Sequence, residues 1–149
     1  MDEVPIAFPD HTCGVEPLLA VSDLSFSLAF WQGLLGGELL QVWDTYALLR
    51  LGAGRLHLAV TGDPPPDRGV RLVPPLASEG TATGEVVLRV ADCAAVVAVL
   101  QGRGVEFLGP PATPVWGGEV RAFARDPDGH LVEVSSVSTP ATTLTVSAG

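Results

Sequence analysis

EPLLAVSD, residues 16–23, returns as EVVLRVAD at residues 85–92. A shift of 69 positions superposes Glu16 on Glu85, Leu19 on Leu88, Val21 on Val90 and Asp23 on Asp92. Self-similarity at a fixed offset marks an internal duplication. Each copy reads as a short apolar strand that starts on a glutamate and ends on an aspartate suited to capping a helix.

The flanking residues give both copies one element order. After VEPLLAV, Asp23 opens a helix in which Leu24, Leu28, Trp31 and Leu35 recur at helical spacing until Gly36-Gly37 stops it. ELLQVW, TYALLRL and RLHLAV follow as strands, the last two joined by a turn at Gly52–Gly54. In the second copy, EVVLRV leads to a helix from Asp92 through Val96, Val99 and Leu100, stopped by Gly102 and Gly104. VEFLG, EVRAFAR and HLVEVSS complete it, with the DPDG turn before the last strand. The chain is therefore expected to be one α+β domain, residues 1–149, of two tandem βαβββ modules. Module 1 spans about 14–60, a proline-rich linker 61–83, module 2 about 84–136 and a flexible tail 137–149. A single helix covers only one face of its sheet, so the other face must meet a partner or line a cavity.

Composition narrows the function classes. All 8 basic residues are arginines against 17 acidic ones, a net charge of −9, so lysine Schiff-base chemistry and a P-loop lysine are excluded. An acidic surface repels phosphate backbones and anionic lipid, so neither nucleic acid nor membrane is an expected partner. Cys13 and Cys93 form no CxxC and are read as reduced thiols. No signal-peptide pattern and no bilayer-length apolar run is present, and the expected location is cytoplasmic.

Strand alternation places the polar residues. Glu16 and His57 in module 1, and Glu85 and Glu133 in module 2, all fall on the sheet face away from the helix. Crowding three carboxylates into a half-dry pocket costs several kcal/mol per unpaired charge, on the order expected for buried ions, unless a cation or protons compensate. Oxygen and imidazole donors suit one divalent ion, Zn, Ni, Co, Mn or Fe. The competing reading needs no metal: Arg55 and Arg89 share that face and could neutralise two of the glutamates.

LLAVSDLSFSLAFWQGLLG, RLHL, EVVLRVAD and ARDPDGHLVEV together resemble the vicinal-oxygen-chelate superfamily of glyoxalases, extradiol dioxygenases and bleomycin-resistance proteins. The resemblance runs from about Val15 to Val134. It implies glyoxalase-like curved mixed sheets around a cavity, in a homodimer. It also implies a metal held by Glu16, His57, Glu85 and Glu133, where relatives commonly carry His or Gln at the first position and His at the third. On that reading the chain is a metal-dependent lyase or isomerase for a small molecule with vicinal oxygens, with Glu133 or Glu85 as the catalytic base, Glu133 preferred. FW in the first helix and LRLGAGRLHLAV equally resemble the bleomycin-resistance proteins, which implies the alternative of a metal-free antibiotic-binding protein.

Trp43, Tyr46 and Trp116, with Arg55 and Arg89, are the candidate substrate-binding residues, although core packing is the commoner role for a single aromatic. Trp31 reads as core, Asp23 and Asp92 as caps, and His11 and His130 as solvent-exposed.

Overall fold

The computed structural model describes residues 4–75 and 80–138, so the linker residues 76–79 and the expected tail from 139 onward lie outside the described residues. Module 1 consists of β1 (Leu18–Val21), α1 (Leu24–Leu28), which continues as a π-helical turn (Ala29–Leu34), β2 (Glu38–Trp43), β3 (Tyr46–Leu51) and β4 (Gly54–Val60). Module 2 consists of β5 (Glu85–Arg89), α2 (Cys93–Gly102), β6 (Glu119–Arg125) and β7 (Leu131–Val137). Sheet order is β1-β4-β3-β2 in the first and β5-β7-β6 in the second. In both, the first strand lies parallel to the last, and the remaining pairs are antiparallel.

Both helices start as their sequences dictate. The Asp23 carboxylate accepts from Phe26 N–H at 3.1 Å and the Asp92 carboxylate from Ala95 N–H at 3.1 Å, each satisfying a donor that the helix itself leaves open. The expected strand VEFLG does not form. It is reduced to one isolated bridge, Phe107 with Ala124, and a second, Ala112 with Arg121, lies beyond it. Pro110 and Pro111 follow it directly and carry no N–H to continue a ladder.

The helix-side residues of the two sheets fuse into one core. Val21, Leu49, Leu56, Leu58 and Trp31 from module 1 join Val97, Leu100, Ala122, Val132 and Val134 from module 2 in a single buried cluster. Directional bonds tie the same seam. Trp31 Nε1 donates to Asp126 at 3.2 Å, Ser22 N–H and Oγ–H donate to Asp128 at 3.0 and 2.6 Å, and Arg103 donates to the Leu34 carbonyl at 3.1 Å. His130, expected in solvent, is half-buried, its Nε2 bonded to the Ala20 carbonyl on the outer edge of β1 at 2.7 Å. Both helices thus lie in the seam between the modules, and the opposite sheet faces turn outward. No helix among the described residues is long and apolar enough to cross a membrane.

Candidate functional site

The outward face of module 1 carries a hydrogen-bonded chain of three side chains. Leu18 pairs with His57 across β1 and β4, and Glu16 lies two residues upstream on the same side. The Glu16 carboxylate accepts from His57 Nε2 at 2.8 Å, which leaves Nδ1 to accept from the Tyr46 hydroxyl. Burial, reinforced by the Glu16 charge, pushes the Tyr46 hydroxyl above its ordinary range and keeps it a neutral donor. Trp43 packs on Tyr46 with ring centroids 5.2 Å apart and stays 59% exposed, so it offers an aromatic surface to a ligand rather than to the core.

The outward face of module 2 is built on an acid pair. Glu133 in β7 is buried, with Val87 and Phe123 as its strand neighbours, and Arg121 approaches its carboxylate at 3.8 Å. Glu85 lies beside it. Burial, then a hydrogen bond that Glu85 donates to Glu133 and the Glu133 charge, push the Glu85 carboxyl above the ordinary range, with Arg121 pulling the other way. One proton shared between crowded carboxylates is the ordinary result of such packing. Two residues beyond Glu133, the Ser135 hydroxyl is buried with no hydrogen-bond partner among the described residues. Arg121 stacks over Trp116 at 4.8 Å and over Phe123 at 5.2 Å, and Trp116 remains 66% exposed.

The four residues expected to ligate a metal therefore appear as two pairs, Glu16 with His57 and Glu85 with Glu133. Within one chain they do not fit a metal cage. Among the described residues no group of three or more His, Cys, Asp or Glu side chains lies close enough to hold an ion. The physical reason is the shared core, which binds the helix-side faces together and points the polar faces apart. Arg55 and Arg89 also behave differently from the expectation that they neutralise the glutamates. Among the described residues neither guanidinium makes an ion pair, and both line a separate cleft of about 480 Å³ between the modules.

Sequence reasoning gave no role to Arg121, Phe123 or Ser135. EVRAFAR alternates, and its pairing with β7 puts Arg121 and Phe123 on the Glu133 side; that alternation was the available signal.

The Glyoxalase/Bleomycin resistance protein/Dioxygenase superfamily model matches residues 9–134. No curated protein matches the chain. Among solved structures, a glyoxalase/bleomycin resistance protein/dioxygenase from Nocardioides is 24% identical, with 90% of this chain and 87% of that one covered at a TM-score of 0.67. A glyoxalase/bleomycin resistance protein/dioxygenase from Alicyclobacillus acidocaldarius shares 14% identity over 89% of this chain and 96% of that one, at a TM-score of 0.67. A bleomycin-binding protein complexed with bleomycin shares 20% identity over 83% of this chain and 98% of that one, at a TM-score of 0.62. Two sheets of mixed strands built on a duplicated module, and a family match across most of the length, agree: this chain belongs to the glyoxalase/bleomycin resistance protein/dioxygenase superfamily.

Proposed function

We propose that the chain is a small-molecule-binding protein that acts as a homodimer. An aromatic ligand is held between the Glu16–His57–Tyr46 face of one copy and the face bearing Glu85, Glu133 and Arg121 in the partner subunit. The observation that carries this reading is the outward turn of both polar faces, which leaves each as half a pocket. On these faces both His57 ring nitrogens are already engaged, and Arg121 partly offsets Glu133. The exposed rings of Trp43 and Trp116 supply stacking surface of the kind ligand clefts use.

Titration with bleomycin, the ligand of one structural neighbour, or with another aromatic drug tests it. Saturable quenching of tryptophan fluorescence is expected, its affinity weakened about two- to tenfold by Trp43→Ala or Trp116→Ala, since a stacked aromatic contributes roughly 0.5–1.5 kcal/mol. Flat titrations with every such drug on the dimer would remove the reading.

A second reading, a metal-dependent lyase or isomerase, is favoured by one observation: three carboxylates and an imidazole stand at matching places in the duplicated sheets. In that case Glu16 and His57 of one copy, with Glu85 and Glu133 of the partner subunit, hold one divalent ion. The ion supplies Lewis acidity toward substrate oxygens. Glu133, or Glu85, moves the proton. Metal analysis of protein purified without chelator separates the two: about one ion per pocket favours the enzyme, and metal-free protein that still binds drug favours the binder.

A further inference from the structure

The duplicated modules meet differently at the two ends of their seam. In module 2, Arg125 pairs with Leu131, and the loop 126–130 between them reaches across to β1. There His130 Nε2 bonds to the Ala20 carbonyl at 2.7 Å, and Asp128 accepts from Ser22. At the matching place in module 1, Leu51 pairs with Gly54, and only Gly52 and Ala53 lie between. Because Leu18 pairs with His57 and Val87 with Glu133, Gly54 is the counterpart of His130, and the shift of 69 makes Arg89 the counterpart of Ala20. A glycine has no side chain to reach β5 as the imidazole reaches β1. The consequence is the cleft of about 480 Å³ between the modules, with Gly52, Ala53, Gly54 and Arg55 on one side and β5 on the other.

The lining of this cleft is apolar with two cations. Leu56, Val86, Leu88, Val96 and Leu100 form its walls, and Arg55 and Arg89 border it, both exposed. The other arginines are mostly engaged: Arg50 and Arg121 each approach a carboxylate, and Arg68, Arg103 and Arg125 donate to backbone carbonyls. Arg71 lies in the linker. The remaining two both border this one cleft and make no ion pair among the described residues. In a chain of net charge −9 they reverse the surface field locally. The strand edge adds neutral donors. Val90 N–H donates to the Ser135 carbonyl at 2.8 Å, so the alternate residues Val87 and Arg89 turn their N–H groups away from β7, with no strand beside them among the described residues.

We propose that this cleft is a second ligand site, for a small amphipathic carboxylate whose apolar body lies against Leu56, Val86, Leu88, Val96 and Leu100 and whose head meets Arg55 and Arg89. The volume falls in the range of small-molecule sites, and such sites combine apolar walls with a few charged or polar groups that fix orientation. The planar guanidinium fork matches a carboxylate. A singly charged head also suits apolar walls better than a doubly charged one, because the cost of leaving water grows with charge. The site is separate from the polar faces that carry Trp43 and Trp116, so it does not depend on the homodimer of the proposed function.

Calorimetric titration of the full-length chain with octanoate, and with octan-1-ol as its uncharged counterpart, tests the proposal. Octanoate should bind saturably, at least tenfold more tightly than octan-1-ol, and should shift the Val86, Leu88 and Leu100 amides in NMR spectra. Arg55→Gln with Arg89→Gln should weaken octanoate at least tenfold and leave octan-1-ol unaffected, with far-UV circular dichroism unchanged. A chain that binds octanoate no better than octan-1-ol overturns the proposal, as does a double variant with native affinity. Octanoate whose binding is lost in Trp43→Ala sits on the polar faces, which overturns a separate site. Affinity that disappears at concentrations where the chain dimerises means that a second copy covers the cleft, and overturns the proposal too. Octanoate that binds as expected while every drug titration stays flat supports this site and removes the drug-binding reading alone.

Discussion

Glu85 shows how a single residue in this protein carries a cost that points to a use. Its carboxyl is raised by burial and by Glu133, so the folded chain holds that proton more tightly than the unfolded chain. Stability must then fall as pH rises from the ordinary carboxylate value through the raised one, because the folded state binds more protons across that window. Glu85→Gln removes the repulsion. A gain below about 1 kcal/mol is expected at pH 7, given the solvent screening of so exposed a group. The acid side of the stability profile should flatten, as read by thermal melts from pH 4 to 8. Ser135→Ala tests the same face differently: deleting a buried hydroxyl that has no partner should leave stability unchanged or raise it by up to about 1 kcal/mol. If that hydroxyl serves the ligand, drug affinity falls while the melting temperature does not. At this scale much was legible, because alternation along four strands identifies which side chains share a face. Arg121 escapes a sequence reading that favours Arg55 and Arg89, whose parity is the same but whose place near the strand ends takes them to another cleft.

Among the elements, helix starts and the duplicated order were readable from local chemistry, and the losses came where tertiary packing decides. The spacing of Leu24, Leu28, Trp31 and Leu35 gives a helix but not its widening. Leu35 N–H reaches the Phe30 carbonyl at 2.9 Å, five residues back, which wraps the chain around the buried Trp31. Gly37 closes this wrap. A Cβ there would sit 2.8 Å from the Trp31 carbonyl oxygen and 3.1 Å from Leu49 Cδ2, so the backbone itself would have to move. Gly37→Ala should therefore cost about 1–3 kcal/mol, the range for overpacked sites. Gly102→Ala, at the end of α2 with nothing within 4 Å of the added carbon, should stabilise by up to about 1 kcal/mol. Chemical denaturation of the two variants checks both signs at once. Equal effects would mean that the space around Gly37 is not what limits it.

For the molecule as a whole, the decisive feature was invisible in the sequence. Strand alternation says which residues share a face, but the rotation of one sheet relative to the other follows from how the helix sides pack, and that depends on contacts between modules. The DPDG turn makes those contacts. Asp126 Oδ1 accepts from the Asp128 and His130 N–H groups at 3.0 and 2.8 Å, while Oδ2 accepts from the Trp31 indole across the seam. Burial raises the Asp126 carboxyl, and the His130 charge, its backbone N–H and the Trp31 bond partly offset the shift. Asp126→Asn keeps the two backbone bonds but sets an amide N–H₂ against the indole N–H, leaving a buried donor unpaired at a cost of about 1–3 kcal/mol. Trp31→Phe removes that donor and should cost less in a chain already carrying Asp126→Asn than in the native one. A double-mutant cycle in denaturant measures the difference, expected near 1 kcal/mol of coupling, roughly the middle of the range for residues in contact. Because one core spans both modules, every variant in the cycle should unfold in a single transition, by fluorescence and circular dichroism alike. Two separated transitions would mean that the modules do not share their core, and the outward turn of the polar faces would lose its cause.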